Sequence, residues 1–285
     1  MTRRALVLGG GGYAASAWEI GLVTGMAEAG IHVQNAELLV GTSSGARVAV
    51  HLASGVALEE LFQRQVGPIP RPGAAAPVVD WSGIMSEIAR AKEAGGSPTE
   101  ILQRIGLLAL ATARGTSGAE RRQIVAEQLP MRTWPEQGLT NAAVNAETGE
   151  RRAFDRNSGI DLVDAVIASS AFFGWPPALF QGHHYIDGGF YSTDNSDLAA
   201  GFDRVLILAL RPRVSPLCLF SIDDAVETLR SGGAIVEVVN PDEDSVAAFA
   251  SISVMNPAVC EPAARAGRMQ GVRLVSERGS PAWQY

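Results

Sequence analysis

The sequence predicts an α/β fold with a mainly parallel central sheet. Short apolar segments such as Ala5-Leu6-Val7-Leu8 and Leu38-Leu39-Val40 have the length and composition of buried strands. Each runs into a glycine-containing loop and then into an apolar segment with helical character, the alternation that is typical of parallel sheets. With 285 residues, 47% of them apolar, the chain is long enough to bury the core of one such domain.

A run of four glycines separates the first predicted strand from the first predicted helix. The strand covers Arg4 to Leu8, the glycines are Gly9 to Gly12, and the helix covers about Ala14 to Ala29. Glycines that enter a helix expose consecutive backbone amides, which can bind an anion. This loop is therefore a candidate anion-binding site.

Two other interpretations of the glycine run remain open. In one it is a tight packing turn that binds no ligand. In the other it binds a dinucleotide, because Gly10 to Ala15 satisfies the G-x-G-x-x-A pattern after a strand. However, the second predicted strand ends in Gly41-Thr42-Ser43, where a dinucleotide site requires an acidic residue for the ribose. The absence of a following Gly-Lys-Ser/Thr excludes a Walker A loop.

The candidate nucleophile is Ser43, in the segment Gly41-Thr42-Ser43-Ser44-Gly45. This segment satisfies the G-x-S-x-G pattern between a strand and a helix, which is the context of a nucleophile elbow. Glycine is needed at positions 41 and 45 because a side chain there would collide with the turned backbone. The turn holds the serine hydroxyl at the carboxyl edge of the sheet, beside backbone amides that can meet an oxyanion.

The position of Ser43 argues against an ordinary α/β-hydrolase. Such an enzyme has several strands before its elbow and a triad histidine late in the chain. Here one strand precedes the elbow strand, and all four histidines lie in the first two thirds of the chain: His32, His51, His183 and His184. We therefore expect an acidic residue to act as the base.

Asp187 is the best candidate for that base. It follows the short predicted strand His184-Tyr185-Ile186 and begins the sharp turn Asp187-Gly188-Gly189. A plain hairpin turn is the alternative interpretation. The other acids have structural interpretations, at a helix start for Asp161 and Asp164 and in a polar turn for Asp194 and Asp197. The adjacent His183 and His184 remain the rival bases.

Residues 64–135 interrupt the α/β alternation and predict a helical insertion. A proline-rich link (Pro68, Pro70, Pro72, Pro77) precedes helices over about 81–94, 98–112 and 117–129, with Gly95-Gly96 and Gly115 as breaks. The apolar stripe of the second helix (Leu102, Ile105, Leu108, Ala109) indicates core packing in preference to a lid for acyl chains. The remaining predicted elements are a helix over 160–170, strands over 139–146, 152–154, 204–210 and 234–239, and a closing helix over 257–275.

Three motifs occur together in an order that resembles the patatin-like phospholipases: the glycine-rich loop, the Gly41–Gly45 elbow and Asp187-Gly188-Gly189. The segments between them are also similar to that family: Ala17–Leu22, Asn141–Asn145 with Thr148-Gly149, and Ala168-Ser169-Ser170 followed by Pro176-Pro177. The resemblance covers about residues 4–211. It implies a three-layer sandwich formed by a single domain over residues 1–285, in which 4–211 is the core, the helical insertion is a possible cap and 212–285 is an extension.

The resemblance also implies a bacterial patatin-like serine acyl hydrolase, a lipase or phospholipase A-type esterase that works through an acyl-enzyme. Its Ser–Asp dyad would be Ser43 and Asp187, without a metal or another cofactor. The oxyanion hole would be formed by backbone amides of Gly10, Gly11, Gly12 and Ser44. A catalytically weak or inactive binding module and an NAD(P)-binding oxidoreductase are the alternatives.

The glycine loop departs from the family pattern in one respect. Many relatives carry Gly-Gly-Gly-x-Arg/Lys-Gly, whereas this chain reads Gly11-Gly12-Tyr13-Ala14-Ala15-Ser16. The basic residue and the last glycine are missing, which removes any headgroup contact of the basic side chain. Arg47, just inside the elbow helix, is a replacement for that charge in one interpretation and a solvated helix residue in the other.

Composition and charge narrow the expected partners. The net charge of −7 disfavours binding to nucleic acid and electrostatic attachment to anionic membranes. Cys218 and Cys260 form no disulfide framework. The amino terminus leads into the first strand without a cleavable apolar leader, and no apolar stretch reaches membrane-spanning length. We expect a cytoplasmic protein in peripheral contact with membranes at most, whose partner is a lipid or another acyl ester.

Overall fold

The computed structural model of the chain describes residues 2–68, 80–113, 117–210, 215–278 and 283. An eight-stranded, mainly parallel sheet lies between helices that cover both of its faces. The predicted α/β class and its layered arrangement are therefore confirmed. Three prolines of the predicted link (Pro70, Pro72, Pro77) and the predicted break at Gly115 lie outside the described residues.

The strands are β1 (Arg4–Leu8), β2 (Leu38–Thr42), β3 (Gly138–Asn145), β4 (Arg151–Phe154), β5 (Ala178–Phe180), β6 (His183–Asp187), β7 (Arg204–Leu208) and β8 (Ile235–Val239). The helices are α1 (Gly12–Glu28), α2 (Ser44–Ala53), α3 (Leu58–Val66), α4 (Trp81–Glu93), α5 (Pro98–Thr112), α6 (Gly118–Gln128), α7 (Leu162–Ser169), α8 (Ile222–Ser231), α9 (Glu243–Phe249) and α10 (Cys260–Arg278).

The strand order is β5-β6-β3-β2-β1-β7-β8, with β4 paired to β3. The pairs β1–β2, β1–β7, β2–β3 and β7–β8 are parallel, so the carboxyl ends of these five strands lie at one edge of the sheet. The strands β4, β5 and β6 form antiparallel pairs at the β3 side of the sheet. Loops with functional residues are expected at the edge where the parallel strands end.

Register places the ends of β2 and β6 against each other. Along β3, β2 pairs with Gly138–Ala142 in parallel, and β6 pairs with Ala143–Asn145 in the antiparallel sense. The opposite side of β3 is occupied by β4 from Asn141 to Val144, so β2 and β6 follow each other on the same side. The two strands run towards each other, and their carboxyl ends meet between Ala142 and Ala143. This arrangement brings the residue after β2 next to the last residue of β6.

The apolar stripe of α5 belongs to the core. Leu102, Ile105 and Ala109 are buried and pack in one cluster with β3, β6 and the turn after β6. This confirms core packing as the interpretation of that stripe. Leu108 packs against the same cluster and is partly buried.

Small residues let α1 and α10 approach very closely. A Cβ atom added to Gly21 or Gly25 of α1 would lie 2.1 Å from the Ala264 carbonyl oxygen or 2.0 Å from the Arg268 carbonyl oxygen. Gly267 and Gly271 of α10 are almost as close to α1, since a Cβ added to either would lie 2.3 Å from a carbonyl oxygen of that helix. The helix that begins at the glycine loop is therefore fixed by a segment beyond the predicted core.

Four elements are absent from the sequence prediction: α3, α8, α9 and β5. A local signal for α8 is nevertheless present, because Ser221 and Asp224 form a capping box at its start. The amino end of α9 is similarly capped by Asp242. Strand β5 has only three residues, too few to show the alternation of apolar and polar residues by which a strand is recognised in sequence. It is identified as a strand by its antiparallel pairing with β6.

Candidate active site

Ser43 has the backbone conformation of a nucleophile elbow. It lies between β2 and α2 with φ 56° and ψ −119°, a region that non-glycine residues rarely occupy. An added Cβ at Gly41 would lie 2.5 Å from Ala46 Cα, within the turn itself. At Gly45 it would lie 2.1 Å from the Leu8 carbonyl oxygen of the neighbouring strand. Glycine at both positions allows the sharp turn and its close approach to β1.

The Ser43 hydroxyl donates a hydrogen bond to Asp187. The distance from Ser43 Oγ to Asp187 Oδ2 is 2.7 Å, and the Gly189 amide donates to the other oxygen, Oδ1, also at 2.7 Å. Asp187 is 2% exposed. Glycine is required at position 188, where a Cβ would lie 2.3 Å from the Ala142 carbonyl oxygen. The turn thus orients both carboxylate oxygens, one towards the serine and one towards a backbone amide.

Asn195 connects the two loops that carry Ser43 and Asp187. Its side-chain amide donates to Thr42 Oγ1 at 3.1 Å and to the Gly188 carbonyl oxygen at 3.2 Å. The Thr42 hydroxyl in turn donates to the Asp194 carbonyl oxygen. Asn195 is fully buried and has the left-handed conformation that asparagine tolerates. Sequence reasoning assigned this segment to a polar turn and missed its role in holding the site together.

Ser169, at the end of α7, contacts the candidate nucleophile Ser43. Its hydroxyl oxygen accepts a hydrogen bond from the Ser43 amide at 3.0 Å, and the side chain is fully buried. That amide is therefore not free to bind an oxyanion. The Ala168-Ser169-Ser170 segment contributed to the family resemblance, but its sequence alone did not assign Ser169 a role.

The amides of the glycine loop have different partners. The Gly10 amide donates to the Thr193 carbonyl oxygen at 2.8 Å, and the Gly11 amide donates to Ser44 Oγ at 3.0 Å. The amides of Gly12 and Ser44 donate to no acceptor within the described part of the chain. These last two amides, at the starts of α1 and α2, are the ones available to a developing oxyanion.

A segment between α9 and α10 borders the glycine loop. The Ala14 amide donates to the Val254 carbonyl oxygen at 3.3 Å. Gly12 has φ +68°, and an added Cβ would lie 2.6 Å from Met255 Sδ. The boundary of the candidate oxyanion site is therefore formed partly by residues far along the chain.

His184 and the rival acids have partners of their own, and His183 begins β6, one residue further from Asp187 than His184. His184 Nδ1 lies 2.5 Å from Glu147 Oε1, at the opposite end of β6 from Asp187, about 10 Å away at the usual strand rise. The carboxylates of Asp161 and Asp164 form ion pairs with Arg122. In the same way, Asp197 pairs with Arg151, whereas Asp194 accepts from the Ser196 amide within its turn. Burial raises the pKa of Asp194.

Glu19 is an unexpected buried acid on α1. Its side chain is fully buried, and neither carboxyl oxygen makes a hydrogen bond of good geometry in the described structure, although the Gly9 backbone amide is close enough to act on the carboxylate. Burial raises its pKa well above the ordinary value, because a charge there would be stripped of water. In the folded protein, burial therefore favours the neutral, protonated form of the Glu19 carboxyl over the charged form.

The described residues contain no group of three or more histidine, cysteine, aspartate or glutamate side chains that could hold a metal ion. In that same part of the chain, every helix lacks either the length or the apolar character that a membrane crossing requires.

Two surface cavities, of about 500 Å³ and 520 Å³, lie between α9 and α10 and beside α6. Neither cavity is lined by Ser43 or Asp187.

Several solved structures resemble the chain at low sequence identity. VipD from Legionella pneumophila is 14% identical, with a TM-score of 0.48, over 97% of this chain and 67% of VipD. The type III effector protein ExoU is 15% identical, with a TM-score of 0.44, over 98% of this chain and 53% of ExoU. A complex of SpcU with ExoU from Pseudomonas aeruginosa gives 16% identity and a TM-score of 0.39, over 94% of this chain and 52% of the matched one. The chain therefore spans about half to two thirds of these neighbours.

No curated protein sequence matched the chain. The family model described as patatin-like phospholipase matches residues 6–200, which include the glycine loop, the elbow and the Asp187 turn. That match covers more than half of the 285 residues. The chain therefore belongs to the patatin-like phospholipase family, which supports a lipase or phospholipase activity.

Proposed function

We propose that the protein is a serine acyl hydrolase that cleaves acyl esters through a Ser43–Asp187 dyad and an acyl-enzyme. The observation that carries the proposal is the 2.7 Å hydrogen bond from Ser43 Oγ to Asp187 Oδ2. A nucleophile within hydrogen-bond reach of an oriented base is the arrangement that covalent catalysis requires. No histidine takes part in this proposal.

In the acylation step, Asp187 accepts the Ser43 proton while Ser43 Oγ attacks the ester carbonyl carbon. The oxyanion that forms is bound by the Gly12 and Ser44 amides, which are free in the described structure. The C–O bond to the alcohol then breaks, and the alcohol leaves with the proton from Asp187. In deacylation Asp187 takes a proton from a water molecule whose oxygen attacks the acyl carbon. The bond between the acyl carbon and Ser43 Oγ then breaks, Asp187 returns the proton to Oγ, and the carboxylic acid leaves.

Labelling with a fluorophosphonate tests this proposal directly. We expect stoichiometric modification at Ser43, and loss of turnover by about 10⁴-fold or more in Ser43→Ala and in Asp187→Asn. The matched controls His183→Ala and His184→Ala should keep most activity, because they lie away from the dyad. Labelling at Ser44 or Ser170, or a folded His184→Ala variant as inactive as Asp187→Asn, would contradict the dyad.

Labelling, together with cofactor analysis of the purified protein, separates the two alternatives. A catalytically inactive binding module would keep the fold and leave Ser43 unlabelled. A dinucleotide-binding oxidoreductase would retain NAD(P) on purification. The structure disfavours the latter, because the Gly10 and Gly11 amides already donate to protein oxygens.

A further inference from the structure

A short segment at the end of α7 contacts both members of the candidate dyad. Ser169 is the last residue of α7, and its hydroxyl oxygen accepts the Ser43 amide at 3.0 Å. Two residues later, the Ala171 carbonyl oxygen accepts the Asp187 amide, also at 3.0 Å. The position of the segment 169–171 therefore affects where the nucleophile and the base lie relative to each other.

Arg121 of α6 binds the residue between these two contacts. Its Nη2 atom donates to the Ser170 carbonyl oxygen at 2.6 Å and lies 3.4 Å from Ser170 Oγ. Its Nη1 atom donates to the Pro176 carbonyl oxygen at 3.3 Å, and the guanidinium lies over the Trp175 ring, 4.8 Å from its centroid. One guanidinium group thus holds both ends of the loop 170–177, which joins α7 to β5.

The Arg121 side chain is buried although it carries a charge. It is 4% exposed, and together with Val125 it forms the buried face of α6. Burial of a guanidinium is unfavourable unless its donors are satisfied, and an apolar side chain of similar volume often replaces a buried charge without loss of stability. Here the fork donates to two carbonyl oxygens of one loop. The directed hydrogen bonds therefore supply what packing alone would not, a fixed orientation of that loop.

The helix that carries Arg121 also contacts the elbow helix. Arg47, one turn after Ser43 on α2, donates from Nη1 to Gln128 Oε1 at the end of α6. Arg47 is partly buried, so it is not the solvated helix residue that one sequence interpretation described. Helix α6 of the predicted insertion is thus connected both to the helix that follows the nucleophile and to the loop that contacts the base.

We propose that Arg121 is a positioning residue that fixes the segment 169–171 and thereby aligns the two residues of the dyad. The inference rests on the proposed function and deepens it, because α6 of the helical insertion then helps to set the catalytic geometry. Arg121 itself touches no substrate in this proposal. A displacement of reacting groups by about 1 Å can lower turnover by on the order of 100-fold, so a small shift of the loop is sufficient.

The test compares two replacements of Arg121 that retain different properties. Arg121→Met keeps much of the length and packing but has no donor, whereas Arg121→Lys keeps a charged donor in a buried place. Arg121→Met should therefore be at least as stable as Arg121→Lys in urea denaturation. Activity on p-nitrophenyl butyrate should have the opposite order: kcat falls about 10- to 100-fold in Arg121→Met and less in Arg121→Lys, with little change in KM. Activity that follows stability, with Arg121→Met equal to Arg121→Lys or better, would overturn the proposal.

Arg122→Met is the matched control. Arg122 is the next residue of α6 and also joins this helix to α7, through ion pairs with Asp161 and Asp164 at the amino end of α7. These ion pairs lie at the opposite end of α7 from Ser169. We expect Arg122→Met to keep most of its activity. A loss as large as that of Arg121→Met would show that any weakening of the contact between α6 and α7 lowers turnover, which contradicts a specific role of Arg121.

A double-mutant cycle tests whether Arg121 acts through the segment 169–171. Ser169→Ala removes the acceptor of the Ser43 amide, so this variant should have a lower kcat by itself. If both substitutions displace the same segment, the loss in the double variant should be clearly smaller than the product of the two separate losses. A loss equal to that product would mean that Arg121 acts independently of the segment, and the proposal would be wrong.

Amide hydrogen exchange provides a readout that does not depend on turnover. The Ser43 and Asp187 amides both donate to the segment, so both should exchange faster in Arg121→Met than in the wild type or in Arg122→Met. If wild-type Ser43 is never labelled by the fluorophosphonate and no ester is cleaved, the proposed function fails, while faster exchange still supports the positioning role. If the wild type is labelled and active but Arg121→Met changes neither exchange nor kcat, the positioning role fails and the dyad stands.

Discussion

The contact between α1 and α10 predicts that Gly25→Ala destabilises the protein. An added Cβ at position 25 would lie 2.0 Å from the Arg268 carbonyl oxygen and 3.0 Å from the Val272 amide nitrogen. Carbon–oxygen contacts below about 3.0 Å are not tolerated, so the two helices must separate locally by about 1 Å. The flexible end of a side chain cannot absorb this change, because both contacts are with backbone atoms.

The size of the effect follows from two opposing contributions. Forcing a methyl group into a filled interface costs about 1–3 kcal/mol. The separation of the two helices by up to about 1 Å also weakens the dispersion attraction between the atoms that face each other across the contact. Alanine in place of a helical glycine returns about 1 kcal/mol. We expect a net loss of about 1–2 kcal/mol in the free energy of unfolding, or about 2–8 °C in melting temperature.

Urea denaturation of wild-type and variant proteins measures this loss, and ester hydrolysis provides a second readout. Activity should fall as well, because α1 begins at Gly12 and its displacement moves the amide beside the elbow. The matched control is Gly118→Ala in α6, where an added Cβ meets no atom within 4 Å and stability should not fall. A Gly25→Ala protein as stable as Gly118→Ala would refute the close packing of α1 against α10.

Two further predictions concern Glu19 and Asn195. Burial raises the pKa of Glu19 in the folded state above its ordinary value of 4.5. The folded protein therefore has its full stability below pH 4.5, where the carboxyl is protonated in both the folded and the unfolded state. It loses stability as the pH rises from 4.5 to the folded-state pKa. Glu19→Gln should therefore gain stability relative to wild type by about 1.4 kcal/mol per pH unit, from pH 4.5 up to the raised folded-state pKa. Urea titrations at a series of pH values measure this difference, and parallel curves would contradict the burial of the acid. Asn195→Gly keeps the left-handed backbone but removes the amide that joins Thr42 to Gly188, so kcat/KM should fall about 10- to 100-fold. Full turnover in Asn195→Gly would show that the amide is dispensable.

The sequence predicted the parts of the site that depend on local backbone chemistry. The elbow around Ser43 and the Asp187 turn were recognisable because glycines at fixed positions permit only a few sharp turns. The strand–loop–helix order then indicated that both loops lie near one edge of a sheet. Helices α8 and α9 were missed although their caps are present, because capping residues are common in ordinary loops as well.

Other features depend on residues far apart in the chain, and only the tertiary structure decided them. The meeting of Ser43 with Asp187 follows from the register of β2 and β6 on one side of β3. The partners of the Gly10 and Gly11 amides, Thr193 and Ser44, are likewise set by how separate loops approach each other. A sequence pattern reports which conformations a segment permits locally. Which backbone donor remains free depends on long-range packing that no local pattern encodes.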